Sequence, residues 1–320
     1  MSSRLLLILQ LLLRCKWVGM YHKSVLTAAV LQYLAPRDGG IYVDATFGGG
    51  GHTRAILQAA PKAHVIAFDW WYTVAIETNG PALQEEFGDR LTLIWGNFAH
   101  IGRLLARHGI QQIDGLLADV GTSQFQIKHK EGFSFATDTP LDMRMSPSHQ
   151  LHTAADIVNA ASQAELTKIF AEFGEERHAR GIATEIVARR KEKRFTSTLD
   201  LVDAVMAVTG PYRPGKIHPA TKVFQALRIV VNHELDNITS LLKGAVQLMA
   251  PEGRLVLIAF HSLEDRLVKH FLLDKVYHNS VGKELEILTA GAVMASPEEL
   301  AENPSSRSAR LRAAIVRVKK

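Results

Sequence analysis

The stretch "DATFGGGGHTRAIL", Asp44 to Leu57, sets four consecutive glycines, Gly48 to Gly51, between an apolar run and a segment with helical spacing. In an open α/β sheet, ligands bind where a strand ends and the chain turns into the next helix. Glycine at that turn lets the backbone bend sharply and keeps a Cβ out of a ligand's path. The run before it, "IYVDA" (Ile41–Ala45), is short and apolar, as a buried strand requires. The pair therefore predicts the first strand and first helix of a sheet with a ligand at its carboxyl edge.

Further strands follow on both criteria. "HVIAFD" (His64–Asp69), "LTLIWG" (Leu91–Gly96) and "IDGLLADV" (Ile113–Val120) are short apolar runs, and the first two are followed by helical patterns. This alternation predicts right-handed β-α-β units around a parallel sheet. "RLVLIAF" (Arg254–Phe260) is a further strand, preceded by the turn signal "APEG". "LEILT" (Leu285–Thr289) and "LRAAIVRV" (Leu311–Val318) are the last candidates. Between about Leu151 and Met249 the pattern is helical, so the sheet is interrupted by a helical insertion and then resumes.

Composition sets outer bounds. The chain has 320 residues, 47% of them hydrophobic and 22% charged, which suits one large or two modest globular domains. Net charge is +5 and the pI near 9.3, a mild bias toward a polyanionic partner. With Cys15 alone, no internal disulfide can form, and no Cys/His group has zinc-site spacing, so no metal is expected. The first 20 residues are basic, contain Ser and lack acid, with an apolar run from Leu5 to Leu13 too short to span a bilayer. They read as an organelle transit peptide or as an N-terminal extension before Met20.

The kind of ligand follows from the residues around the glycines. The second strand ends in Asp69, where an acid accepts hydrogen bonds from ribose hydroxyls. A dinucleotide fingerprint needs a third glycine, but Thr53 stands there, and no Gly-Lys-Ser/Thr of a phosphate loop appears. Asp44 at the end of the first strand would repel pyrophosphate and attract a cationic ligand. S-adenosylmethionine, with its sulfonium and amino groups, fits these residues better than a nicotinamide dinucleotide does. Phe98 after the third strand would cover an adenine or pack in the core. Asp119 ends the fourth strand, where a methyl acceptor would sit, or else caps a turn.

A series of longer motifs carries a likeness to a known family. "HKSVL", "DATFGGGGHT", "GFSF", "PLDMRM", "ADIVNA", "FGEERHARGIA", "HPATKVFQALRIVVNHEL", "FHSLEDRLVKHF" and "NPSSRSARLR" occur in that order. Together they resemble the cytosine-N4 methyltransferases of small-subunit ribosomal RNA, the RsmH (MraW) family, from about His22 to Arg312. "TFGGGGHTRAILQ" and the basic N-terminus look most like its mitochondrial branch, which implies the mitochondrial matrix, with the cytoplasm as the bacterial alternative. The resemblance implies an α/β class I (Rossmann-like) S-adenosylmethionine-dependent methyltransferase sheet with an inserted helical domain. Residues 21–126 and 227–320 form the methyltransferase domain and 127–226 the substrate-recognition insertion. It implies cofactor contacts at Gly50, Gly51, His52, Asp69, Phe98, Asp119 and Gln126. The implied partner is small-subunit rRNA or an assembling small subunit, with no membrane and with a homodimer as the candidate assembly.

Three departures from the family's pattern adjoin these positions. "DWWYTVA" after the second strand has Trp71 and Tyr72 in place of an acid and a proline. "VGTSQFQIK" keeps Ser123 but carries Gln124 and Phe125, and the acidic stretch before "GFSF" is shortened.

Methylation of an exocyclic amine needs the amine oriented in line with the methyl–sulfonium bond and its proton accepted. Asp119 and Ser123 in "DVGTS" are the catalytic candidates. Asp142 and Arg144 in "PLDMRM", and His261 in "FHSLED", are candidates for substrate contact. The alternatives are an Asp–Arg pair that fixes a loop and a histidine that caps a helix. The insertion carries Arg177, Arg180, Arg189, Arg190, Lys191, Lys193 and Arg194, and Arg307, Arg310 and Arg312 follow near the end. Such runs are solvated faces or phosphate contacts. A non-catalytic rRNA-binding or ribosome-assembly factor that kept the fold is the competing function.

Overall fold

The computed structural model describes residues 24–72, 79–121 and 130–318. They divide into two compact units. One consists of the described residues up to 123 together with those from Leu235 onward; the other runs from 124 to Glu234.

The first unit holds a seven-stranded sheet in the order β3-β2-β1-β4-β5-β7-β6. After helix α1 (Thr27–Leu34) come β1 (Ile41–Asp44), α2 (Gly51–Ala59), β2 (His64–Asp69), α3 (Asn79–Phe87), β3 (Leu91–Trp95), α4 (Ile101–Arg107) and β4 (Ile113–Asp119). Strands β1 to β4 run parallel, with Asp44 opposite Ala67 and Leu117, and Asp69 opposite Trp95. The apolar runs of β1, β2 and β4 are thus strands, apolar along most of their length because both faces are covered. Side chains alternate: Val43, Ile66, Leu116 and Leu257 face one core, while Tyr42, Val65, Leu117 and Val256 face the other. Ile101, Leu105, Ile238, Leu241 and Ala245 cover the first; Val30, Leu34, Ile56 and Leu57 cover the second.

The second unit is helical: α5 (Ala154–Ala160), α6 (Gln163–Glu172), α7 (Ala179–Arg189), α8 (Thr198–Thr209) and α9 (Thr221–Asn232). Three of these helices begin with a reciprocal cap, from Thr153 to Asp156, Ser162 to Glu165 and Ser197 to Asp200. Each satisfies backbone donors that the first turn leaves open. Leu166, Phe170, Ile182, Ile186, Leu201, Val205, Val223 and Leu227 form their common core.

The chain re-enters the sheet unit through α10 (Glu234–Leu248) and β5 (Met249–Ala259). The strand begins earlier than "RLVLIAF" suggests. "APEG" lies inside it as an irregularity, where pairing steps from Ile113–Met249 to Gly115–Arg254 and Glu252 takes a positive φ of 63°. Helices α11 (Ser262–Leu273) and α12 (Lys275–Ser280), strand β6 (Lys283–Ile287), helix α13 (Pro297–Glu302) and β7 (Arg310–Val318) complete the unit. β7 inserts antiparallel between β5 and β6.

The β1–α2 turn is built around Asp44. Its carboxylate is wholly buried; Oδ2 accepts a 2.7 Å hydrogen bond from Thr53 Oγ1, and Oδ1 accepts one of 3.1 Å from the Thr46 amide. Burial pushes the carboxyl above its ordinary pKa, although His52, Thr53 and Thr46 pull the other way. Asp44 is therefore not a charge displayed to a ligand, as its sequence position suggests. It is an internal brace, and Thr53, the residue that breaks the dinucleotide pattern, is its hydrogen-bond donor.

Two expected outcomes follow from these contacts. Asn232, wholly buried, donates to the Met143 and Arg228 carbonyls at 2.8 Å each and accepts from the Met145 amide at 2.8 Å and from Gln150 Nε2. Asn232→Ala leaves several of these groups unpaired, and chemical denaturation should show a loss of about 2–4 kcal/mol. The second outcome concerns pH. A raised carboxyl pKa in the folded state gives a contribution complete below the unfolded value, 3.8, and lost as pH rises through the folded value. Wild type should therefore lose stability relative to Asp44→Asn as pH rises above that range, read from denaturation curves across pH; a constant difference would contradict the buried, proton-favouring Asp44.

Candidate functional site

The sheet unit brings the carboxyl ends of β1 to β4 together. Asp69 closes β2, and its Oδ2 accepts from the Gly48 amide at 2.8 Å while Oδ1 accepts from the Trp71 amide at 2.7 Å. A second tie between the two turns runs from the Phe47 amide to the Phe68 carbonyl at 2.8 Å. The glycine loop is thus held to the end of β2 as well as to β1.

The glycines serve the turn and the packing. Gly48 and Gly50 take φ of 50° and 76°, a region costly for other residues. A Cβ on Gly50 would lie 2.8 Å from Leu83 Cδ2, and one on Gly51 would lie 2.3 Å from Ser24 Oγ. At these two positions it is the protein's own side chains that demand glycine.

His52 occupies the first turn of α2 and is buried. Its Nε2 lies 3.6 Å from Asp119 Oδ2. The Asp119 amide donates to Thr46 Oγ1 at 2.7 Å, so one threonine links the end of β4 to the loop that leaves β1. Both ring nitrogens of His52 and Asp119 Oδ1 are buried with no hydrogen bond among the described residues. Buried polar atoms in that state favour a polar ligand.

Phe98 opens a short 3-10 turn after β3 and is partly buried against the apolar core. Asn97 caps this turn, accepting from the Ala99 amide at 2.9 Å and donating to Asn237 Oδ1 at 3.1 Å. Gly50, Gly51, His52, Asp69, Phe98 and Asp119 therefore share one edge of one sheet. Sequence reasoning missed Thr46, Thr53 and Trp95. Trp95 is exposed, meets Tyr72 edge-on at 5.1 Å and donates from Nε1 to the Trp70 carbonyl at 3.1 Å. Only Thr53 carried a signal, as the wrong residue at a glycine position.

The remaining candidates hold structure locally. In the helical unit, Arg144 grips Asp142 through two bonds of 2.8 Å, Nε to Oδ1 and Nη2 to Oδ2, and reaches the Gln150 carbonyl at 3.2 Å. Burial opposes ionisation of Asp142, but the hydrogen bonds and charge of Arg144 outweigh it and hold its pKa below the ordinary value. In the sheet unit, His261 caps α11: Nδ1 accepts from the Glu264 amide at 3.4 Å and Nε2 lies 3.1 Å from Glu264 Oε1. Arg312 forms a two-point pair with Asp265 at 2.6 and 3.0 Å, and Arg310 lies 4.0 Å from the same residue.

Of the basic run in the insertion, Arg189 pairs with Glu185 and Lys193 with Asp200, while Arg190 donates to the Val158 and Ala161 carbonyls. Arg177, Arg180, Lys191, Arg194 and, in the sheet unit, Arg307 are exposed. Ser123, Gln126, Gln124 and Phe125 lie outside the described residues, as do the first 20 positions. No helix among the described residues is long and apolar enough to cross a membrane.

Comparison with known proteins bears on the whole chain. A protein called ribosomal RNA small subunit methyltransferase H from Bradyrhizobium diazoefficiens is 45% identical over 304 residues, covering 92% of this chain and 91% of its own. The protein of that name from Thermomicrobium roseum is 47% identical over 306 residues, covering 92% and 93%. These relatives are bacterial and give the mitochondrial expectation no support. Among solved structures, TrmN from Thermus thermophilus matches with a TM-score of 0.42 and 13% identity, covering 91% of this chain and 48% of that one. The family model described as the MraW methylase family matches residues 19–317. With its strand order and its ligand edge, the chain has the α/β Rossmann-like fold of class I methyltransferases and belongs to the MraW methylase family.

Proposed function

We propose that this chain transfers a methyl group from S-adenosylmethionine to the N4 amine of a cytidine in small-subunit ribosomal RNA. The observation that carries the reading is Asp119 at the end of β4, beside the glycine loop and His52, in a chain whose relatives along nearly its full length are named as small-subunit rRNA methyltransferases. The buried polar atoms of His52 and Asp119, the open turn at Gly48 and the acid at Asp69 suit a polar ligand that bears a ribose and a cationic group. When bound, the cofactor supplies an electrophilic methyl group.

The chain's own residues do the rest. Asp69 accepts from ribose hydroxyls while it holds the Gly48 and Trp71 amides. Gly50, Gly51 and His52 line the cofactor's other side, and Phe98 covers a ring face. The cytosine amine is a weak nucleophile because its lone pair is delocalised into the ring. Asp119 would orient that amine toward the methyl group and accept its proton as the N–C bond replaces the methyl's bond to sulfur, which departs as a neutral thioether. Ser123 as auxiliary and Gln126 as a cofactor contact are assigned by the family resemblance. A direct contact of Asp142 or Arg144 with the base requires their mutual pair to open, so their first effect is to shape the loop that approaches the RNA. Bacterial relatives support action in the cytoplasm, on rRNA or an assembling subunit, and a homodimer is the assembly to test by light scattering.

Asp119→Ala should lower methyl transfer to a small-subunit rRNA fragment by at least about 100-fold while circular dichroism stays unchanged. Nucleoside mass spectrometry for N4-methylcytidine is the measurement. Retained transfer removes Asp119 from the mechanism, and wild-type RNA binding without any transfer favours the non-catalytic factor. Asp69→Ala removes charged hydrogen bonds and should weaken S-adenosylmethionine binding about 10-fold or more in calorimetry; equal affinity overturns the ribose assignment.

A further inference from the structure

The segment between α8 and α9, "GPYRPGKIHPA" (Gly210–Ala220), has no role in the reaction described above. Two of its rings, Tyr212 and His218, line up with Phe135 within the helical unit. His218 stacks on Phe135 with centroids 4.6 Å apart and planes 30° from parallel, and Tyr212 lies on His218 at 5.2 Å and 33°. Phe224 braces the inner end, edge-on to Phe135 at 5.0 Å. The outer end is open: Tyr212 is 44% exposed and Ile217 75% exposed.

Two features say what the partner is. The first is charge. No acidic residue occurs between Asp203 and Glu234, while Arg213 and Lys216 flank the stack and are exposed. The second is stiffness. Pro211, Pro214 and Pro219 fix φ along the segment, and the His218 ring is tethered by the Ala220 amide, which donates to Nδ1 at 3.2 Å. Burial lowers the His218 pKa, which favours the neutral ring inside the stack. A preformed aromatic column with cations beside it matches an unpaired nucleobase that extends the stack, its phosphates lying against Arg213 and Lys216.

We propose that Tyr212, on its His218–Phe135 column, is a stacking platform for an unpaired base of the RNA substrate, with Arg213 and Lys216 as phosphate contacts. The proposal rests on the rRNA reading above and adds to it where the insertion grips single-stranded RNA.

The test uses the full chain and a small-subunit rRNA fragment, with binding followed by fluorescence anisotropy. Circular dichroism with thermal unfolding reports on the fold of each variant, and calorimetry with S-adenosylmethionine on the cofactor site. Tyr212→Ala should weaken RNA binding about 10-fold, Tyr212→Phe should keep it, and cofactor affinity should stay unchanged in both. Arg213→Ala and Lys216→Ala should each flatten the salt dependence of binding by close to one phosphate contact. If wild type binds the RNA and Tyr212→Ala binds it equally well, the platform is overturned and the rRNA reading stands. If wild type binds no small-subunit rRNA at all, the rRNA reading itself fails.

Discussion

A carboxylate sealed inside a protein needs partners, and at the end of β1 the Asp44 side chain finds them in Thr53 and the Thr46 amide. That one constraint fixes the path of the chain from strand to helix. Thr53 lies on α2 and Thr46 on the loop, so the acid ties the two sides of the glycine turn to the strand that precedes it. Thr46 then passes the constraint on, since its hydroxyl accepts from the Asp119 amide and sets the end of β4. Asp69 grips the turn from the other flank through Gly48. The carboxyl edge of the sheet is therefore positioned by buried or half-buried acids that bond the backbone. A catalytic acid needs such a frame, because orientation within a few tenths of an ångström decides whether an amine is presented in line.

The acids of the chain differ in how their oxygens are occupied. Asp44, Asp142, Glu264 and Asp265 each have internal partners: a threonine, an arginine, a histidine cap and a pair of arginines. Neither Asp119 oxygen has a hydrogen bond of that kind: one lies 3.6 Å from His52, and the other is buried without a hydrogen bond among the described residues, as Glu264 Oε1 is, although the other Glu264 oxygen accepts from two backbone amides. Asp119 is half-buried at a strand's carboxyl end, where ligands bind in open α/β sheets.

The central strands were legible because burial on both faces leaves short apolar runs such as "IYVDA" and "HVIAFD", whereas edge strand β6, exposed along much of its length, begins two residues before "LEILT". The helical insertion was legible as a whole; its individual starts at Thr153, Ser162 and Ser197, each three residues before an acid, emerge from the structure. The early start of β5 was not, because "APEG" has turn chemistry and here makes a bulge within a strand. At the site, topology alone put Asp69, Phe98 and Asp119 on one edge. What each acid bonds was beyond the sequence: Asp44 looked like a ligand's counter-charge, and Arg312 like a phosphate contact until Asp265, far away in sequence, claimed it. His261 and the Asp142–Arg144 pair took the structural alternatives, a helix cap and a loop tie, because their partners lie two or three residues away in sequence.

The sheet's strand order has a bearing on how the chain comes to be folded. β4 sits between β1 and β5, yet the entire helical unit is translated between β4 and β5. During synthesis, the first four strands exist for a time as a half-sheet whose β4 edge offers unpaired amides and carbonyls above an apolar face. That edge stays open until the helical unit and α10 have emerged and β5 arrives to seal it. The helical unit, continuous in sequence and with its own core, has no such wait. A ribosome stalled before Met249 would therefore display a sticky, incomplete sheet beside a helical unit that already has its full sequence.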